Sequence, residues 1–108
     1  MEKTITIDGK ECRFKSSGAL PRIYRITFGE DLFVDIGKLE GISDTEMLNG
    51  DVIGTLENVA FCMAKHADSS VGNNIVEWLE QFETFSLVQA IPDILELWTS
   101  EIKTTSTP

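Results

Sequence analysis

Polar and apolar residues alternate over 4–7 and again over 11–14, on either side of Asp8 and Gly9. A period of two marks a strand with one buried face. An Asp-Gly pair is a preferred two-residue hairpin connection, because both positions must adopt positive φ. The turn then pairs Ile5 with Cys12 and Ile7 with Lys10. Ile5, Ile7, Cys12 and Phe14 share one face, and Thr4, Thr6, Glu11 and Arg13 share the other. A two-stranded ribbon is marginal in water on its own. The oily face is therefore expected to pack on helices, leaving the hairpin's edges open to strand addition.

Past residue 20 the period becomes helical. Tyr24, Phe28, Leu32, Ile36 and Leu39 recur at helical spacing, with Pro21 in the first turn and Asp31, Asp35 and Lys38 on the wetter side. Gly29 inside this pattern costs about 1 kcal/mol against alanine, so either the helix breaks there or something packs tightly on its backbone. Residues 40–51 read as a loop, with Ser43 and Glu46 forming a capping box for a single turn. Residues 51–68 are apolar nearly all round: Ile53, Leu56, Ala60, Met63 and Ala67 lie on one face, with Val52, Val59 and Phe61 elsewhere. Such a helix is buried on several sides and marks the centre of the domain.

Ile75, Trp78, Leu79 and Phe82 form a clean stripe opposite Glu77, Glu80, Gln81 and Glu83. Ile91, Ile94, Leu95, Trp98 and Ile102 form another, where Pro92 either starts a helix or kinks one that begins after Ser86. The prediction is a mainly α (α+β) fold: an N-terminal β-hairpin over 3–16, then a bundle of four to five helices over 20–102. One domain spans 1–103, and 104–108 form a flexible polar tail.

Composition narrows the partners. A chain of 108 residues supports one core, burying roughly 65% of its unfolded surface. Eighteen acidic against nine basic residues give a net charge of -9, which opposes nucleic acid, whose phosphates are bound by clustered Lys and Arg. The same sign disfavours an anionic membrane, and no apolar run approaches the roughly 20 residues of a span. The start has no apolar signal core, so a cytoplasmic location is expected. There Cys12 and Cys62 read as reduced, half-buried thiols.

Candidate chemistry is sparse. His66 is the single histidine, one helical turn after Cys62, and a base beside a thiol can make a nucleophile. No motif supplies oxyanion donors or a third orienting group. Asp31 and Asp35, one turn apart, read as a solvated helix face. Dinucleotide, Walker and zinc-ligand spacings are absent. No catalytic residue, metal ligand or cofactor is assigned, and the chain is read as a non-enzyme. At helical spacing Trp78, Phe82 and Trp98 read as core before contact surface, whereas Phe33 and Leu97 lie off the stripes and are the better candidate protein-contact residues. Trp98, Ile5 and Ile7 complete that set.

Five segments, "IDGKECRFK", "YRITFGEDLFVD", "LENVAFCMAKHAD", "EWLEQFETFS" and "IPDILELW", in this order and spacing, resemble the tail assembly chaperones of long-tailed phages and prophages of Gram-positive bacteria. The resemblance runs from Ile5 to Trp98. Cys12 stands where an aliphatic residue is more usual and Glu30 where a basic one is common, and 40–51 and 69–74 follow no family pattern. The resemblance implies a host-cytoplasmic protein absent from the finished virion. It would bind the tape measure protein and aid polymerisation of tail tube protein around it. It also implies a short form whose polar C-terminus is the junction for a frameshifted extension, and self-association through the hairpin edge would be compatible with the role. The alternative is a small acidic inhibitor or DNA mimic, which needs carboxylates spaced along one surface like phosphates.

Overall fold

Asp8 and Gly9 adopt φ of 54° and 76°, the paired left-handed conformation that matches the twist of two joined strands. They connect β1 (Glu2–Ile7) to antiparallel β2 (Lys10–Lys15), with Ile5 opposite Cys12 and Ile7 opposite Lys10 as expected. The computed structural model describes residues 2–37, 50–83 and 86–106, and of 50, 51 and 98–106 only the backbone. Five α-helices follow the hairpin among the described residues: α1 (Leu20–Phe28), α2 (Leu32–Gly37), α3 (Gly50–Ala67), α4 (Ile75–Glu80) and α5 (Ser86–Ser106). A single 3₁₀ turn, Ser69–Val71, stands between α3 and α4. The fold is mainly α with an N-terminal hairpin. The capping box at Ser43 and Glu46 lies outside the described residues.

Gly29 breaks the helix. Its φ of 71° is left-handed, and its N–H closes α1 by donating to the Arg25 carbonyl at 2.7 Å, a glycine C-terminal cap. Asp31 then restarts the chain as α2: its carboxylate accepts the N–H groups of Phe33 at 2.9 Å and Val34 at 3.3 Å. Asn74 starts α4 in the same way, accepting from Val76 and Glu77. Pro92 lies inside α5 rather than at its start. It is exposed, on the outer side of the helix, where the loss of one i to i−4 hydrogen bond is best tolerated. The helix is assigned as far as Ser106.

The core forms around α3. Leu56 and every residue from Val59 to Ala64 are buried, as the all-round apolar pattern requires. β2 and α1 pack along α3, and β1 lies against α5. Trp78 of α4 binds these layers together, meeting Phe14 of β2 at 6.4 Å, Phe61 of α3 at 5.7 Å and Phe82 at 5.2 Å between ring centroids. These tilted and edge-on arrangements suit the ring quadrupoles.

Charged residues of the hairpin meet helix ends of complementary sign. Lys10 Nζ donates to the Gln81 carbonyl at 2.8 Å, where α4 ends, and Arg13 donates to the Ala67 carbonyl at 3.0 Å, where α3 ends. Asp8 accepts from the Glu83 N–H at 2.6 Å and from the Ser86 hydroxyl at the start of α5. Cations beside C-terminal carbonyls and an anion beside an N-terminus complement the helix dipole. The hairpin is thus locked by its oily face and by three end-on polar contacts.

Candidate functional site

Cys62 and His66 occupy adjacent turns of α3 without forming a nucleophile. Cys62 is fully buried rather than half-buried. Desolvation pushes its thiol up to about 11, outweighing the opposing pull of the Thr27 hydroxyl and the Lys65 charge. A protonated thiol away from solvent is a poor nucleophile. His66 Nε2 shares a 2.7 Å hydrogen bond with Ser17 Oγ, and that oxygen also accepts the Ala19 N–H at 3.1 Å. The imidazole therefore steadies the turn leading into α1. Cys12 is partly exposed, and desolvation raises its thiol as well.

Asp31 and Asp35 do not share a wet face, contrary to the sequence expectation. Asp35 is buried and accepts the Tyr24 hydroxyl at 2.6 Å. Burial, reinforced by that carboxylate, holds the Tyr24 phenol well above its ordinary range. The reason for the difference is the Gly29 break: α2 has its own phase and turns Leu32 and Asp35 inward together. Asp31 stays at the surface, 3.6 Å from Arg25. Among the described residues no group of three or more His, Cys, Asp or Glu is placed to hold a metal ion, and no helix is long and apolar enough to cross a membrane.

Of the expected contact residues, Phe33 is 61% exposed. Leu97 is buried at 3%, a correction with a simple cause. Counting from Leu87 instead of Ile91 sets Leu87, Ala90, Ile94 and Leu97 on one stripe, all of them buried. Ile5 and Ile7 are likewise buried in the core cluster, which satisfies the expected packing of the hairpin face and removes them as contact surface. The Trp98 side chain lies outside the described residues.

Among the described residues, the large exposed apolar ones that sequence reasoning passed over are Ile26 at 75%, Val34 at 58% and Val76 at 58%. Ile26 was legible: with Leu20 and Tyr24 fixed as the inner face of α1, it falls on the outer one. Val34 was not, because its direction depends on the break at Gly29. Beside Phe33 lies a shallow hollow of about 370 Å³ lined by Pro21, Arg22, Arg25, Asp31 and Leu32. A second hollow, about 400 Å³, lies between β2 and the segment carrying the 3₁₀ turn and α4. Its lining includes Glu11, Cys12, Arg13, Asp68, Glu77 and Trp78, with Ala64 of α3 beneath.

The hollow beside β2 brings the Cys12 thiol near the carboxylates of Glu11, Asp68 and Glu77, and the one beside Phe33 places Arg22 and Arg25 near Asp31. Comparison with protein-family models, with curated proteins and with solved structures finds no match.

Proposed function

We propose that this chain is a non-catalytic, protein-binding chaperone of phage tail assembly, acting in the host cytoplasm to cover apolar helical surface on the tape measure protein. One observation carries the reading: Ile26, Phe33 and Val34, on two short consecutive helices, face outward while the side chains best suited to chemistry are engaged inside the fold. Exposed large apolar side chains beside arginines are the usual ingredients of a protein contact. The resemblance of five ordered segments to the tail assembly chaperones supplies the kind of partner. A net charge of -9 favours solubility while a sticky partner is held.

The DNA-mimic alternative is weaker. Asp35 is buried, and Asp8, Asp31 and Asp68 each accept backbone N–H groups within the fold. Their carboxylates serve as local caps rather than as a phosphate-like row.

Co-expression with the tape measure protein of the same genome tests the proposal. The chain is expected to raise the soluble yield of the tape measure and to co-elute with it, and an Ile26→Asp, Val34→Asp double variant is expected to do neither. A tape measure equally soluble with and without the chain overturns the reading.

A further inference from the structure

The hollow beside β2 is bordered by a strand edge. In a two-residue hairpin the residues flanking the turn exchange hydrogen bonds, and the pattern then alternates. Residues 10, 12 and 14 therefore face β1, and the main-chain N–H and C=O of Glu11 and Arg13 point away from it. Among the described residues no hydrogen bond meets these outward groups. An open ladder of this kind is a template for a further strand.

The surroundings restrict what can dock. The 3₁₀ turn and α4 stand across the hollow from β2, so the edge is recessed. A second copy, with a net charge of -9, is opposed by the acidic rim, whereas a single extended segment of another protein can enter. Its charge is set by the rim. Glu11, Asp68 and Glu77 line the hollow, and the one lining cation among the described residues, Arg13, is already bound to Glu2 at 2.9 Å and to the Ala67 carbonyl. The floor, Ala64 and Trp78, is nearly closed to solvent and apolar.

We infer that the β2 edge is a docking site for one extended, cationic segment of a partner protein, added as a third strand beside Glu11 and Arg13. By the alternation of strand side chains, its residue opposite Cys12 points inward toward Trp78 and is apolar. Its residue opposite Glu11 points outward and is Lys or Arg. This surface is separate from the α1 and α2 patch and does not depend on the tail assembly reading.

The test uses the full chain and a fluorescein-labelled hexapeptide alternating lysine and valine, followed by fluorescence anisotropy. Its glutamate and valine counterpart is the control. The lysine peptide is expected to bind and the control not to bind. Glu11→Pro removes an outward N–H without touching the ladder to β1, a substitution that edge strands tolerate. It is expected to weaken binding roughly tenfold more than Glu11→Gln, which removes only the charge. Glu77→Lys, on the opposite wall, weakens binding with β2 unaltered and keeps the test decisive if Glu11→Pro misfolds. Backbone amide shifts on peptide addition are expected to centre on Glu11, Arg13 and Trp78. Equal binding of the two peptides, equal effects of the two Glu11 variants in folded protein, or shifts centred on Phe33 would overturn the inference. So would a dimer abolished by Glu11→Pro, which would assign the edge to a second copy. Loss of peptide binding with tape measure solubilisation intact would separate this site from the proposed function.

Discussion

The hairpin and the pair α1 and α2 carry apolar side chains at similar density and dispose of them in opposite ways. Ile5, Ile7 and Phe14 are turned into the core, and Asp8, Lys10 and Arg13 fasten the ribbon to three helix ends. On α1 and α2, Leu20, Tyr24 and Leu32 anchor inward while Ile26, Phe33 and Val34 are left outside. Surface apolar residues scattered singly need no explanation. Among the described residues four large apolar side chains are exposed, and three of them, all but Val76, lie together on these adjoining short helices, a clustering that points to use. The contrast separates a region built to hold the fold from one that holds it with half of its residues.

The contrast breaks most visibly at Phe14. It is completely buried and edge-on to Trp78, so Phe14→Ala removes a large core side chain from beneath the hairpin. The expected loss is about 3–5 kcal/mol, read as a lowered urea midpoint with the hairpin and α4 released together. A midpoint within error of the wild type would mean that the hairpin is an ornament on a helical bundle.

A smaller effect is expected at the anchor of the other region. Tyr24→Phe deletes the donor that faces the buried Asp35 carboxylate. Removing one partner of a buried polar pair costs about 1–3 kcal/mol. Tyr24→Phe combined with Asp35→Leu removes both partners and is expected to recover part of that loss. Denaturant curves of the single and double variants measure the coupling, and simple additivity would show that the pair does not hold α2 in place.

How much of this was legible in the sequence follows the same divide. The hairpin was readable to the register, because an Asp-Gly turn and a period of two leave one pairing that keeps Ile5, Ile7 and Phe14 on one face. The burial of α3 was readable because its apolar residues leave no wet side. The inward turn of Asp35 was not, since a break at Gly29 resets the helical phase and nothing local states the new one. Leu97 was misplaced by starting a stripe four residues late. The hollow beside β2 was beyond reach, because it depends on where the 3₁₀ turn and α4 come to lie relative to residues about 60 positions earlier.

Acid sharpens the comparison from the hairpin side. The Ser86 hydroxyl, followed by the Glu83 N–H, holds the Asp8 carboxyl below its ordinary value of 3.8. A depressed folded pKa means that the charged form is favoured by folding. The contribution is therefore complete above the unfolded value and lost as pH falls through the folded one. Asp8→Ala is expected to be less stable than the wild type at pH 6, with the gap closing below about pH 4. Asp68 is depressed in the same direction, chiefly by Ser70, so Asp68→Ala run in parallel shows whether the acid sensitivity resides at the turn. A gap independent of pH would mean that Asp8 acts through shape alone.

The smallest effect on stability, and the most informative one, is expected at Phe33. Its ring is largely outside, beside the hollow bounded by Arg22 and Arg25, and α2 is started by the Asp31 carboxylate and anchored by Leu32 and Asp35 rather than by Phe33. Phe33→Ser is therefore expected to shift stability by no more than about 0.5 kcal/mol, the range of ordinary surface substitutions. If the outer face of α1 and α2 is a contact surface, the same variant loses partner binding while its urea curve overlays the wild type. Loss of stability comparable to Phe14→Ala would put Phe33 among the residues that hold the fold, and the two regions would then differ only in degree. The outcome turns on that ratio of binding loss to stability loss, because a core residue lowers both and a surface anchor lowers one.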